Sequence, residues 1–153
     1  MHKIIEDLST KFPNIEFKIG DKFYWSPKDS IVYYLDELDN EESIFALFHE
    51  LGHAKLKHKF YNRDFDLIRM EVSAWDEAKK LARKYHKKID ENHIQDCLDT
   101  YRDWIYKRSK CPKCGVVSIQ TVGTNRYSCF NCSSEWSVSS SKFCRPYRTL
   151  ISN

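Results

Sequence analysis

The chain of 153 residues has only four glycines and four prolines, too few for a low-complexity or disordered polypeptide. No apolar run approaches the ~20 residues that a membrane-spanning helix needs, so no membrane partner is expected. The opening residues Met1-His2-Lys3-Ile4-Ile5-Glu6-Asp7 turn acidic at once and lack a long apolar core, so no secretory signal is read there. The expected setting is cytoplasmic and reducing, where six cysteines point to metal before disulfides. Acidic residues are almost missing from the last third. Residues 107–153 hold eight Lys and Arg against one acid, Glu135, whereas residues 1–106 hold 17 Lys and Arg against 21 Asp and Glu. A charge step of that size marks a boundary. The expected organisation is a domain over 1–107, a small module over 108–138 and a basic tail over 139–153.

Composition allows a core, at 41% hydrophobic and 14% aromatic residues. A short helix is expected over 2–11, ended by Phe12-Pro13-Asn14. Strands are expected at 15–19, 22–25 and 31–35. Gly20-Asp21 reads as a two-residue hairpin and Ser26-Pro27-Lys28-Asp29 as a second turn, which together make a three-stranded antiparallel meander. Asp39, with Glu42 three residues on, fits a capping box that opens a helix to about His58. Further helices are expected over about 65–87, with Asp64 as the cap, and from Asp90 or Glu91 to about Lys107. The fold class is therefore α+β. Cys97 falls in the apolar stripe of the last helix, as a small core residue.

The second of these helices carries Phe48-His49-Glu50-Leu51-Gly52-His53, the pattern H-E-x-x-H. Four residues apart on a helix, His49 and His53 leave the same face and can grip one Zn2+, with Glu50 beside them where it reaches water rather than metal. Two surface histidines would satisfy the same pattern, so the neighbours matter. Glu71 lies in the middle of the stripe Leu67, Ala74, Trp75, Ala78, Leu81, Ala82 and Tyr85 on the following helix. A carboxylate on a buried face is costly unless something positive meets it. An ion pair with Arg69 or a lysine would serve, as would a metal ion. With His49 and His53, Glu71 makes a His2Glu set with an open position, the arrangement of catalytic zinc.

Beyond Lys110 the texture changes. Cys111-Pro112-Lys113-Cys114 and Cys129-Phe130-Asn131-Cys132 are two C-x2-C knuckles separated by 14 residues, just outside the usual window but close enough for a four-cysteine structural zinc ribbon. Short strands are expected around Gly123-Thr124-Asn125, with Trp136 over the cluster. Metal binding supplies the stability of so small a module. Basic and aromatic residues interleave here, among them Lys113, Arg126, Tyr127, Phe130, Trp136, Arg145, Tyr147 and Arg148. Such a mixture suits nucleic acid, or an acidic protein partner. Cys144, in a tail read as flexible, is the thiol left over. A free cysteine near an open zinc could block it and keep an enzyme latent.

Phe-His-Glu-Leu-Gly-His at 48–53, with His58 five residues on and Glu71 within Glu-Val-Ser-Ala-Trp at 71–75, resembles the gluzincin metallopeptidases. It is closest to the minimal gluzincins and the ImmA/IrrE-type domains, over about residues 13–88. The combination with a C-terminal ribbon is similar in layout to SprT-like proteases, which draw their third ligand from a histidine. The gluzincin resemblance implies that His49, His53 and Glu71 bind a catalytic zinc and that Glu50 is the general base. It also implies that the last strand before the active helix lies beside a protein or peptide substrate. The strand at 31–35 is then the expected place for strand addition, and Tyr33, Tyr34 or Tyr61 the expected oxyanion donor. The expected activity is zinc-dependent peptide hydrolysis. The rival expectations are a nucleic-acid-binding regulator acting through the ribbon, and a zincin kept inactive by its tail.

Overall fold

The computed structural model describes residues 3–140 and 146–151. In chain order they form α1 (Lys3–Lys11), β1 (Glu16–Ile19), β2 (Tyr24–Ser26), β3 (Ile31–Tyr34), α2 (Glu41–Lys55), α3 (Asp64–Lys84), α4 (Glu91–Ser109), β4 (Ile119–Gln120), β5 (Arg126–Ser128), β6 (Glu135–Val138) and β7 (Arg148–Leu150). The chain divides into two compact units, Met1–Phe60 with Met70–Ile94, and Tyr61–Arg69 with Gln95–Asn153. No helix among the described residues is long and apolar enough to cross a membrane. The class is α+β.

The sheet of the first unit is mixed, which corrects the expected antiparallel meander. Its order is β1-β3-β2. β1 runs parallel to β3, from Glu16 opposite Ile31 to Ile19 opposite Tyr34, and β2 runs antiparallel to it, with Trp25 opposite Val32. Two physical facts overturn the hairpin. A two-residue hairpin turn wants positive φ, and among the described glycines only Gly115 and Gly123 have it. Gly20 instead donates its N–H to the Tyr34 carbonyl at 2.8 Å, and a Cβ there would sit 3.1 Å from the Tyr33 ring. The glycine permits close approach, not a reversal. The strand with most apolar surface then takes the centre: Ile31, Val32 and Tyr34 are all buried, while β1 is mostly exposed. The Ser26–Asp29 turn does form, with the Ser26 hydroxyl donating to the Asp29 carboxylate at 2.8 Å.

Helix α2 begins one residue later than the expected box. Asn40, in extended geometry, accepts from the Ser43 N–H at 2.7 Å and is the cap in place of Asp39. Leu47, Phe48, Leu51 and Ala54 are buried along α2, and Phe45, His49 and His53 are buried as well. Burial on more than one side is what its sequence demands. The helix stops at Lys55, short of the expected His58.

The second unit carries an antiparallel sheet of order β4-β5-β6-β7. Its core gathers Cys111, Tyr127, Cys129, Trp136 and Val138. Tyr127 and Trp136 stack at 5.6 Å, so neither ring is presented to a base, whereas Phe130 and Tyr147 are exposed. Part of the tail read as flexible is a strand, with Trp136, Ser137 and Val138 opposite Leu150, Thr149 and Arg148. The expected block by Cys144 lies outside the described residues, as does Arg145.

Candidate metal centre

In the first unit His49 and His53 project from one face of α2 toward Glu71 on α3. His49 Nε2 lies 3.1 Å from Glu71 Oε2 and 3.1 Å from His53 Nε2, and His53 Nε2 lies 3.5 Å from Glu71 Oε2. All three residues are buried, at 6–8% exposure. Donors held about 2.0–2.1 Å from one tetrahedral centre stand roughly 3.3 Å apart, so the triangle fits a zinc ion. Two imidazole nitrogens and a carboxylate oxygen converge on one point, where a cation could take the place of the protons they otherwise share. Burial alone would raise the Glu71 carboxyl, but the His49 and His53 imidazoles beside it hold it down at about 2. It is therefore a carboxylate ready to bind metal. The structure brings together the three ligands that the sequence offered.

Close packing of the two helices makes this possible. A Cβ on Gly52 would stand 2.4 Å from the Ala74 carbonyl oxygen, so the backbones of α2 and α3 touch there. The His49 ring lies on Trp75, with centroids 4.3 Å apart. Its Nδ1 is buried without a hydrogen-bond partner among the described residues, so packing orients this ring.

Glu50 points elsewhere, as its place beside His49 requires. Its Oε2 accepts the backbone N–H of Trp25 at 2.8 Å, on the outer edge of β2. The strand expected to receive an added strand has no free edge: β3 is central, flanked by β1 and β2. Among the tyrosines considered as oxyanion donors, Tyr34 is buried in the core, where desolvation first and then the Asp36 charge raise its phenol pKa. Tyr33 stacks on Tyr24.

His58 follows His53 by five residues, close enough for one helix to carry both. The helix in fact ends between them. Lys57 takes φ 55°, its N–H donates to the Ala54 carbonyl at 3.1 Å, and the His58 N–H donates to the His53 carbonyl at 3.0 Å. This is a Schellman cap, which folds the sixth residue back over the first. The returning residue is usually apolar; here the rings of His53 and His58 meet, with Nδ1 to Nδ1 at 2.8 Å. The Trp25 indole N–H donates to the His58 carbonyl at 2.8 Å and pins the returning chain. Burial, and after it the neighbouring His53, lowers the His58 pKa and favours its neutral ring. A pair of histidines five apart across a helix end was the signal available.

The second cluster, in the second unit, is Cys111, Cys114, Cys129 and Cys132, whose sulfurs all lie within 4.8 Å of one another. Cys111 and Cys132 are 3.7 Å apart and Cys114 and Cys129 3.4 Å. Sulfurs about 2.3 Å from a tetrahedral zinc stand roughly 3.8 Å apart, so this set also fits. The Cys132 backbone N–H, foremost among several donors, holds the Cys129 thiol down to about 6. The Ser134 hydroxyl, 3.3 Å from Cys132 Sγ, likewise lowers Cys132. Thiols inclined to ionise are what a metal ligand requires. Cys114 goes the other way: the Val116 N–H and Asn131 favour its thiolate, but desolvation and the sulfurs of Cys129 and Cys132 outweigh them.

Compared with protein-family models, with curated proteins and with solved structures, the chain gives no match.

Proposed function

We propose that the chain is a zinc-dependent peptidase of the gluzincin kind, hydrolysing peptide bonds at the centre formed by His49, His53 and Glu71. The observation that carries this reading is the meeting of Glu71 Oε2 with both imidazole Nε2 atoms, at 3.1 and 3.5 Å, one residue away from a carboxylate held at a strand edge. A zinc ion held there would supply Lewis acidity toward water and the scissile carbonyl. Glu50 takes the proton of the attacking water and returns it to the leaving amine. Its Oε2 is steadied by the Trp25 N–H, which leaves Oε1 for the proton. An extended substrate lies along β2 rather than β3, because β2 is the edge strand whose backbone already reaches Glu50. The four cysteines hold a second, structural zinc, closed to substrate.

The test is Glu50→Gln, compared with the parent for zinc content and for cleavage of an unfolded protein. The variant should carry two zinc ions per chain, as the parent does, and cleave nothing. Undiminished cleavage removes Glu50 from the chemistry. A parent that holds a single zinc, lost on replacing the ribbon cysteines, removes the peptidase reading altogether.

A further inference from the structure

His58 belongs to no ligand set, yet it sits in a chain of hydrogen bonds whose direction can be read from its far end. The Met70 carbonyl can only accept, and Ser73 Oγ lies 2.9 Å from it, so the hydroxyl proton points there. Ser73 Oγ, its proton committed, can only accept from His58 Nε2 at 3.4 Å. His58 therefore carries its proton on Nε2 and presents a lone pair at Nδ1. That lone pair faces His53 Nδ1 at 2.8 Å, so His53 must donate from Nδ1. A neutral imidazole with its proton on Nδ1 has its lone pair on Nε2, the atom aimed at His49 and Glu71. Reversing the chain would turn the single Ser73 proton toward His58 and give up the bond to Met70.

We propose that His58 is a positioning residue for the metal centre, fixing His53 as the Nδ1–H tautomer through a one-way chain that ends on the backbone of α3. The chain joins the cap of α2 to the turn of α3 that carries Glu71, so the element that supplies the carboxylate also sets the protonation of its partner. Outer groups that orient metal-binding histidines in this way affect metal affinity by about 10–100-fold. His49, whose Nδ1 has no such partner, relies on Trp75 instead. The inference rests on the metal reading of the triad, and its test separates the two.

The experiment compares parent, His58→Phe and His58→Asn as full chains loaded with zinc. Phenylalanine keeps the ring and removes the acceptor. Asparagine can place its amide oxygen where Nδ1 stood, keeping the acceptor for His53 while losing the reach to Ser73. Zinc affinity at the triad is measured by competition with a chelator, and the His53 Nδ1 proton is followed by NMR of 15N-histidine protein. His58→Phe should weaken the triad site by about 10–100-fold and lose the slowly exchanging Nδ1 proton, while the ribbon site is unchanged. His58→Asn should stay within a few-fold of the parent and retain that proton. Parent-like affinity in His58→Phe overturns the inference, as does a loss in His58→Asn equal to that in His58→Phe. A parent that binds no zinc at the triad overturns the metal reading itself, before either variant is considered.

Discussion

The ideal Cβ position of Gly52 lies 2.4 Å from the carbonyl oxygen of Ala74, closer than any side chain can come. The glycine between the two histidines is thus a contact residue, and it sets how near α2 comes to the helix bearing Glu71. Alanine at this position would gain about 1 kcal/mol in helix propensity. Against that stands a clash with backbone, which no rotamer change relieves, and overpacking of this kind costs about 1–3 kcal/mol. The clash wins because the helices must part. Gly52→Ala is expected to lower stability by up to roughly 2 kcal/mol and to weaken zinc binding at the triad more than at the four cysteines. Thermal unfolding and zinc competition check this; an unchanged triad affinity would show that the contact does not govern the site.

Asp64 and Arg108 form a buried ion pair in the second unit, with Arg108 Nε donating to Asp64 Oδ2 at 2.6 Å and both residues almost wholly buried. The Tyr127 hydroxyl donates to the same Oδ2 at 2.6 Å, and Arg108 reaches Asn125 Oδ1 at 3.3 Å and stacks over Trp104. Burial first, and then the Asp64 carboxylate, raises the Tyr127 pKa, so the phenol remains a donor at any physiological pH. Removing one charge strands the other in a dry site, at about 3–5 kcal/mol. Asp64→Ala should therefore destabilise the second unit severely, and Asp64→Ala with Arg108→Met should recover part of the loss. Denaturant unfolding followed by hydrogen exchange at Tyr127 measures both; additive losses would show that the pair is not coupled.

The candidate metal-binding residues were legible because each lies in a strong local pattern. His49 and His53 share a helix face, Glu71 interrupts an apolar stripe, and the cysteines come as paired knuckles. What surrounds them was less so. His58 reaches His53 through a cap whose left-handed residue is Lys57 and not a glycine, so nothing marked the reversal. Asp64 read as a helix cap, while its carboxylate in fact meets an arginine 44 residues away. No local pattern encodes such a pairing. Strand order failed for a related reason: Gly20-Asp21 has the composition of a turn, but the burial of Ile31, Val32 and Tyr34 decides which strand is central. β7 is three exposed residues with no alternation to read.

Replacing one of the four cysteines tests the second cluster as a metal site. Its sulfurs converge on one point, and the unit's small core is built around Cys111, Cys129 and Trp136. Without a cation the lowered Cys129 thiol would stand as a charge among converging sulfurs near neutral pH, with nothing positive to meet it. Cys129→Ser is expected to take up one zinc per chain fewer than the parent and to lose hydrogen-exchange protection between residues 111 and 138. Exchange at α2 should be unaffected. Protection that survives loss of the metal would mean that the sheet β4-β5-β6-β7 stands without it.

Glu71 gives the first unit a pH dependence that can be separated from metal binding. The comparison is made on chelator-treated protein, so that bound metal plays no part. The Glu71 carboxyl, ordinarily at 4.5, is held at about 2, by the histidines against the opposing effect of burial. A lowered carboxyl pKa contributes stability that is complete above 4.5 and is lost as the pH falls toward 2. Hydrogen-exchange protection of the α2 amides around Phe48 to Gly52 should therefore decline steeply through this window in the parent. In Glu71→Gln the protection should be lower at pH 5 and decline less, because the amide has no proton to take up. Parallel pH profiles for the two proteins would mean that the carboxylate does not hold these histidines, and the triad would lose its physical basis as a metal site.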